Sequence, residues 1–255
     1  MTVRIAAIIP ARMASSRFPG KPMYNVAGLP MIEHVRRRAL KCKAFSAVVV
    51  ATCDVEIAQA VEKFGGRVIM TSPTHPGATD RLAEAMQHLD ATHIVNVQGD
   101  EILIPPSDLD LMAEAVFKES SVPAWNAAAK IESVEELANP AIVKMVTSQS
   151  GRVIFCGRDL SKIAVKAPAF EPVCQSIGVM TYRREFLQSF LELKRTPLET
   201  AEGIDQMRIV ERDQILRVVY FNKAYVSVNE PHEMKLVEKC LAEDSFQQSI
   251  LKEIL

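Results

Sequence analysis

The chain of 255 residues has no C-x-x-C pair, no internal repeat and no low-complexity tract. It also has no apolar run near the roughly 18 residues that a membrane-spanning helix needs. Each absence closes off a class of protein. The five cysteines (Cys42, Cys53, Cys156, Cys174, Cys240) are odd in number and widely spaced. That speaks against a disulfide framework and a zinc site, and leaves reduced, mostly buried thiols. Charge of one sign is lacking too: 30 Lys and Arg face 31 Asp and Glu, a formal net charge of −1. Such a balance argues against wholesale nucleic-acid binding, so the basic residues serve local sites. The N-terminus runs into an apolar stretch without charged, apolar and cleavage regions in succession, from which a cytoplasmic protein without membrane attachment is expected. Neither the Walker spacing nor G-x-G-x-x-G occurs, which removes the two commonest phosphate-binding loops.

What the chain does have is a basic loop directly after a strand-like run. Ile5, Ala6, Ala7, Ile8 and Ile9 are dense enough in apolar side chains for a strand buried on both faces. From Ile8 to Met23 the sequence reads I-I-P-A-R-M-A-S-S-R-F-P-G-K-P-M. Arg12, Arg17 and Lys21 lie close together there, with Ser15, Ser16 and Gly20 between prolines that restrict the backbone. Arg supplies a planar fork, Lys a point charge, and small residues let backbone N–H groups approach a phosphate chain.

Downstream the pattern alternates. A helix is expected from about Pro30 to Cys42, with Arg36, Arg37 and Arg38 as its solvated face. A strand follows at 47–51. Then comes a helix opening at Asp54, with Val55, Ala58, Val61 and Phe64 on its apolar side. A third strand spans 67–70, and a helix beginning near Thr79 carries Leu82, Met86 and Leu89 inward. A fourth strand at 92–97 ends in Gln98-Gly99-Asp100-Glu101. Such a rhythm predicts an α/β fold: a mainly parallel sheet with helices on both faces, and ligands beyond the carboxyl ends of its strands. Helix starts are read at Ser107, Ser133 and Thr196, the last with Pro197 and Glu199 in place. Residues 142–147 and 153–156 read as a hairpin, 156–172 as a surface excursion or an interface, and 215–221 and 225–228 as strands. A last helix starts near Asn229, and a tail with Phe246, Ile250, Leu251, Ile254 and Leu255 is apolar on one side, to pack on the chain itself or on a second copy.

Asp100 at a strand end, opposite the basic loop, suits Mg²⁺ held jointly by protein and phosphates. The helix starting at Thr79-Asp80-Arg81 would bring a phosphate-compatible N-terminus to the same sheet edge. His75, beside Pro76 and Gly77, reads as a solvent-exposed turn residue rather than a base.

I-P-A-R-M-A-S-S-R-F-P-G-K-P-M, H-P-G-A-T-D-R-L-A-E, V-N-V-Q-G-D-E-I-L-I-P, P-L-E-T-A-E-G-I-D-Q-M-R and V-N-E-P-H-E, in this order, resemble the 3-deoxy-manno-octulosonate (Kdo) cytidylyltransferases over residues 3–241. The resemblance implies a nucleotide-diphospho-sugar transferase fold: one Rossmann-like domain over 1–255, with a small antiparallel dimerisation subdomain near 140–182. It implies a homodimer that couples CTP to a small acidic sugar with Mg²⁺, in lipopolysaccharide biosynthesis. Ala11, Arg12, Arg17, Lys21, Thr79, Arg81 and Gln98 would bind the nucleotide, and Arg12, Lys21 and Asp100 would act at the reacting phosphates. Gln98, Ser176, Glu202 and Gln206 would face the sugar acid, and Asp100 and Asn229 the metal. Three departures stand out. Ser176 and Met180 replace a His and a Tyr of the family, and 156–172 is shorter. Asn229 replaces a usual aspartate, and as a good helix cap it has a second reading. Two alternatives therefore accompany the expected Kdo transfer: a catalytically weak relative that binds nucleotide or sugar acid, and a cytidylyltransferase for a nonulosonate or amino-substituted octulosonate.

Overall fold

Strand β1 (Ile5–Ala11) is the axis of the first of two units, Met1–Glu114 with Tyr225–Leu255; the second is Ala115–Ala224. The computed structural model describes residues 2–15, 17–75, 77–164 and 171–255. Ile5 to Ile9 are all at most 1% exposed, so both faces of β1 are covered, which is what its unbroken apolar run requires. The chain continues through a short hairpin, β2 (Asn25–Val26) and β3 (Leu29–Pro30), into helix α1 (Met31–Lys41). Then β4 (Phe45–Thr52), α2 (Val55–Lys63), β5 (Arg67–Met70), α3 (Ala78–Met86) and β6 (His93–Val97) alternate as expected. Helix α4 (Pro106–Lys118) starts one residue before Ser107 and carries the chain into the second unit.

Strands β6, β1, β4 and β5 lie side by side in that order, each pair parallel. The chain builds outward from β1 through β4 and β5, then returns to β1's other side with β6. That reversal is a topological switch point, and a crevice opens beyond the carboxyl ends of β1 and β6.

Two helix faces differ from the sequence reading. Arg36 and Arg38 are 5% and 1% exposed, not a solvated face. Arg36 grips the fully buried Glu33 through two bonds of 2.7 Å, and Arg38 Nη1 points at the carbonyls of Leu103 and Ile104, each 3.4 Å away. A charged side chain tolerates such burial when a bidentate partner replaces water. On α2 the buried side chains are Ile57, Ala58 and Val61, while Val55 is 60% exposed. Ala58 and Val61 face inward as expected, while Ile57 takes the place expected of Val55 and Phe64, the residues at the two ends of the helix.

The second unit comprises β7 (Ala124–Lys130), α5 (Val134–Ala138), β8 (Lys144–Thr147), β9 (Val153–Gly157), α6 (Ser161–Ala164), β10 (Val173–Arg183), α7 (Arg184–Glu192), α8 (Pro197–Glu202), α9 (Gln206–Val210) and β11 (Leu216–Tyr220). β7 is parallel to β11 and antiparallel to β10, and β10, β8 and β9 continue antiparallel. The fold is thus a mixed sheet architecture, parallel in the first unit and mainly antiparallel in the second. Strands β7 and β10 and helix α7 escape the sequence reading. Ala124, Ala127, Ala128 and Ala129 make β7 look helical by propensity, yet all are buried, and burial between neighbours overrides a weak intrinsic preference. Of the expected excursion at 156–172, residues 165–170 lie outside the described residues.

Back in the first unit, 225–228 is not a strand. Its backbone is fixed by single bonds instead, as Val228 N–H donates to the carbonyl of Asp100 at 3.1 Å. A 3-10 turn at Pro231–Glu233 leads to α10 (Met234–Glu243) and α11 (Ser245–Ile254), the latter capped by Asp244. Ile250 and Ile254 are buried in this same unit, and Gln247 Nε2 donates to Leu103 O at 2.9 Å. Phe246 and Leu255 stay exposed. None of the five cysteines forms a disulfide, and Cys42, Cys156 and Cys174 are buried as expected; burial pushes Cys42 and Cys174 up to about 12. No helix among the described residues is long and apolar enough to cross a membrane.

Candidate active site

The basic loop is anchored at three places. Its aromatic residue, Phe18, is buried among Val26, Met31, Ile102, Leu103, Val228 and Met234. Gly20 takes φ 73°, a left-handed conformation that glycine adopts freely, and its N–H closes back on Met13 O at 3.0 Å. Asp54, expected only to start α2, makes no side-chain cap bond; its Oδ2 accepts from Met13 N at 2.8 Å. With the apolar side chain inward, Arg12 and Arg17 stand exposed at the mouth of the crevice. Ser16 lies outside the described residues.

Lys21 is the knot of the site. Its Nζ lies 3.1 Å from Asp100 Oδ2 and 2.7 Å from Val228 O, and the two charged side chains are only 15% and 18% exposed. Arg17 Nη2 donates to Asn229 Oδ1 at 3.0 Å. Asn229 is therefore not the expected cap: the turn at Pro231–Glu233 starts at Glu230, and Glu233 turns its carboxylate back to the N–H groups of Asn229 and Glu230. Gly99 is needed where it is, since a β-carbon there would lie 3.2 Å from Pro10 O and push the turn after β6 away from the end of β1.

Helix α3 contributes its N-terminus and Arg81. Gly77 caps it without a side-chain bond, and Gly77 and Ala78 bring this helix end to the cleft. Arg81 is 4% exposed; it bonds Thr71 Oγ1 and reaches Cys53 Sγ at 3.5 Å. His75 is not the free turn residue that was expected. Its Nε2 bonds Glu84, whose carboxylate also accepts from Ser72 N at 2.8 Å and is held below its ordinary range by that bond first and by His75 second.

These elements enclose a cleft of about 250 Å³. Of the expected nucleotide residues, Ala11, Arg12, Arg17, Lys21, Arg81 and Gln98 line it together with Asp100. Thr79 follows the lining residue Ala78 in the first turn of α3, and Asn229 joins through Arg17. Four cationic side chains, Arg12, Arg17, Lys21 and Arg81, thus share one cleft with one carboxylate, Asp100, which Lys21 contacts. The arrangement is complementary to a polyanion. Among the described residues no group of three or more His, Cys, Asp and Glu could hold a metal ion. Asp100 alone still fits Mg²⁺, which commonly takes one or two carboxylates and completes its shell with phosphate oxygens and water.

Of the expected sugar-side residues, Gln98 lines the cleft of the first unit, and Ser176, Glu202 and Gln206 lie in the second, where Ser176 and Gln206 meet through one residue. Asn126, fully buried on β7, donates through Nδ2 to Ser176 Oγ at 3.1 Å and Ile177 O at 3.2 Å, and Gln206 Nε2 donates to Asn126 Oδ1 at 3.0 Å. Glu202 Oε2 accepts from Arg158 N at 3.1 Å. Sequence reasoning missed Asp54 and Asn126. For Asn126 a signal existed: one amide set in the apolar run Ala124-Trp125-Asn126-Ala127-Ala128-Ala129.

Comparison with known proteins places this geometry. The cytidylyltransferase family pattern matches residues 6–217. A 3-deoxy-manno-octulosonate cytidylyltransferase of Geobacter metallireducens is 40% identical over 248 residues, covering 93% of this chain and 98% of that protein. One from Myxococcus xanthus is 42% identical over 238 residues, covering 92% and 95%. Among solved structures, a CMP:2-keto-3-deoxy-manno-octonic acid synthetase complexed with CTP superposes with a TM-score of 0.88 at 33% identity, covering 94% of this chain and 99% of that one.

Proposed function

The chain belongs to the cytidylyltransferase family, and from that membership we propose that it couples CTP to a 3-deoxy-2-ulosonic sugar acid, Kdo or a close relative, releasing the CMP-sugar and pyrophosphate. The single observation that carries this reading is one cleft lined by four cations and Asp100, at the strand ends where a switch point opens.

Arg12, Arg17 and Lys21 take the triphosphate, and Ala11, Thr79, Arg81 and Gln98 complete the nucleotide pocket. The anomeric hydroxyl oxygen of the ulosonate attacks the α-phosphorus in line and gives its proton to solvent, while the bond to the pyrophosphate oxygen breaks and pyrophosphate leaves. The described cleft offers cations and a carboxylate rather than a neutral base, so positioning and charge neutralisation carry the step, with Arg12, Lys21 and Asp100 nearest the reacting phosphates. Asp100, with the amide oxygen of Asn229 as a second ligand, would hold Mg²⁺, which would supply neutralisation of negative charge on the phosphates. Ser176, Glu202, Gln206 and Gln98 recognise the sugar acid. The working form is a cytoplasmic homodimer.

Pyrophosphate release, measured with CTP against a panel of ulosonates including Kdo, nonulosonates and amino-substituted octulosonates, tests the proposal. Turnover confined to CTP and one acid supports it. Saturable CTP binding without turnover on any acid would make the chain a binding relative. Ser176 and Met180, standing where the family has a His and a Tyr, are the observation behind a second reading, transfer to a nonulosonate or an amino-substituted octulosonate.

A further inference from the structure

Asn126 is a polar side chain of the second unit, 0% exposed in a strand that is otherwise apolar from Ala124 to Ala129. An amide buried there persists only if its hydrogen bonds are met, and they are. Nδ2 lies 2.7 Å from Ala127 O, 3.2 Å from Ile177 O and 3.1 Å from Ser176 Oγ. Backbone carbonyls only accept, so the amide nitrogen must face them, and Oδ1 must then be the atom that meets Gln206. An acceptor at Oδ1 demands a donor, so Gln206 turns its Nε2 inward, 3.0 Å away. The orientation of one buried amide therefore dictates the other. Gln206 is left with its carbonyl Oε1 uncommitted to Asn126. Nδ2 carries two hydrogens for these three acceptors and cannot accept one, so the Ser176 hydroxyl can only accept from it, and its own hydrogen must be given elsewhere.

We propose that Asn126 is a positioning residue for the sugar acid: it fixes Gln206 as an acceptor and Ser176 as a donor toward a neutral polar substituent, a hydroxyl or acylamino group, of the ulosonate. The inference deepens the proposed function and rests on it. The site lies where β10 breaks register against β7, between Ser176 and Met180. Such an irregularity turns side chains out of the regular pleat, here those of Ser176 and its neighbours. Neither Ser176 nor Gln206 carries charge, so the cluster discriminates by hydrogen-bond polarity and not by attraction to the carboxylate of the acid.

The test uses the full chain and the ulosonate that the wild type turns over fastest. Asn126→Leu keeps the branched shape and removes both bonding functions; Asn126→Thr, smaller and at home in a strand, removes the amide and tests the same point should the leucine variant fail to fold. The expected result is a rise of about tenfold in KM for the ulosonate, with KM for CTP within twofold of wild type, as befits one or two lost neutral hydrogen bonds. A second arm removes the substituent: an acid lacking that hydroxyl or acylamino group should lose about tenfold with the wild type and little with Asn126→Thr. Equal rises in both KM values, or an unchanged KM for the acid in a folded variant, would overturn the positioning role while leaving the proposed function standing. A wild type that turns over no ulosonate of the panel would overturn both.

Discussion

Replacing Lys21 by Met keeps the side-chain stem and deletes the ammonium, and the structure says what else goes with it. A lysine on a solvent-facing loop would affect CTP alone. Lys21 instead bridges Asp100 Oδ2 at 3.1 Å and Val228 O at 2.7 Å, with a side chain only 15% exposed. Removing it leaves a carboxylate and a carbonyl facing each other across the space that the ammonium neutralised. Because Asp100 keeps some water at 18% exposure, the folding cost is on the order of 1–3 kcal/mol, a loss of several degrees in Tm for a chain of this size. On catalysis, a charge-assisted bond to phosphate is worth about 1.5–3 kcal/mol, so kcat/KM for CTP should fall roughly 10- to 150-fold. The assay is pyrophosphate release over a CTP series at saturating ulosonate and saturating Mg²⁺. Saturating metal matters: with its ammonium partner gone, Asp100 binds a divalent cation more readily, and at low metal that gain would mask part of the loss. Thermal unfolding with and without CTP should show a lower Tm and a smaller rise on adding nucleotide. A variant with wild-type kcat/KM for CTP would refute the phosphate role, and one that lost activity only through unfolding would reduce Lys21 to a strut.

Asp54→Ala removes the acceptor of Met13 N–H and should raise KM for CTP several-fold by loosening the basic loop, whereas Asp54→Asn retains an oxygen and restores most of it; steady-state kinetics on the pair decide. Burial pushes His34 down to about 4, and it stays neutral beside Val26 O at 2.7 Å while the unfolded chain protonates near pH 6.5. Its share of stability is thus complete above pH 6.5 and declines as pH falls toward 4, by roughly 3 kcal/mol over the whole span; urea unfolding from pH 7 to 5 should slope less in His34→Gln, and identical slopes would remove the assignment. Asn229→Asp adds a carboxylate beside Arg17 and should lower the Mg²⁺ concentration for half-maximal rate; coincident titrations of variant and wild type would show that position 229 does not touch the metal.

The first unit was legible because its signals are local. Runs such as Ile5 to Ile9 and Ile94 to Val97 state burial directly, and the loops after β1 and β6 carry their charges in plain order. The second unit resisted for a physical reason. β7 is built from alanine, whose intrinsic preference is helical, and it becomes a strand only because β10 and β11 flank it. Burial of charge also escaped the pattern: three consecutive arginines on α1 look solvated, but Glu33 is placed to hold Arg36 at i+3 and Arg37 at i+4. Asp54 and Asn229 show the same limit from the other side. Both are good caps by composition, and both spend their side chains on residues far away in sequence, which no local reading can see.

The distances along the chain at which the site closes bear on how it works. Met13 meets Asp54 at a separation of 41 residues, Lys21 meets Asp100 at 79 and Val228 at 207, and Arg17 meets Asn229 at 212. The basic loop therefore takes its final shape only when the last segment of the chain has returned to the first unit. Holding Phe18 in a core cluster shared with Val228 and Met234 makes that return part of the same packing event. Ordering cations of like sign next to one another is unfavourable, and in this protein the cost falls on folding rather than on nucleotide binding. A triphosphate then meets charges already in position, and the binding energy that a mobile loop would lose to ordering stays available for stabilising the charge that moves onto the leaving pyrophosphate.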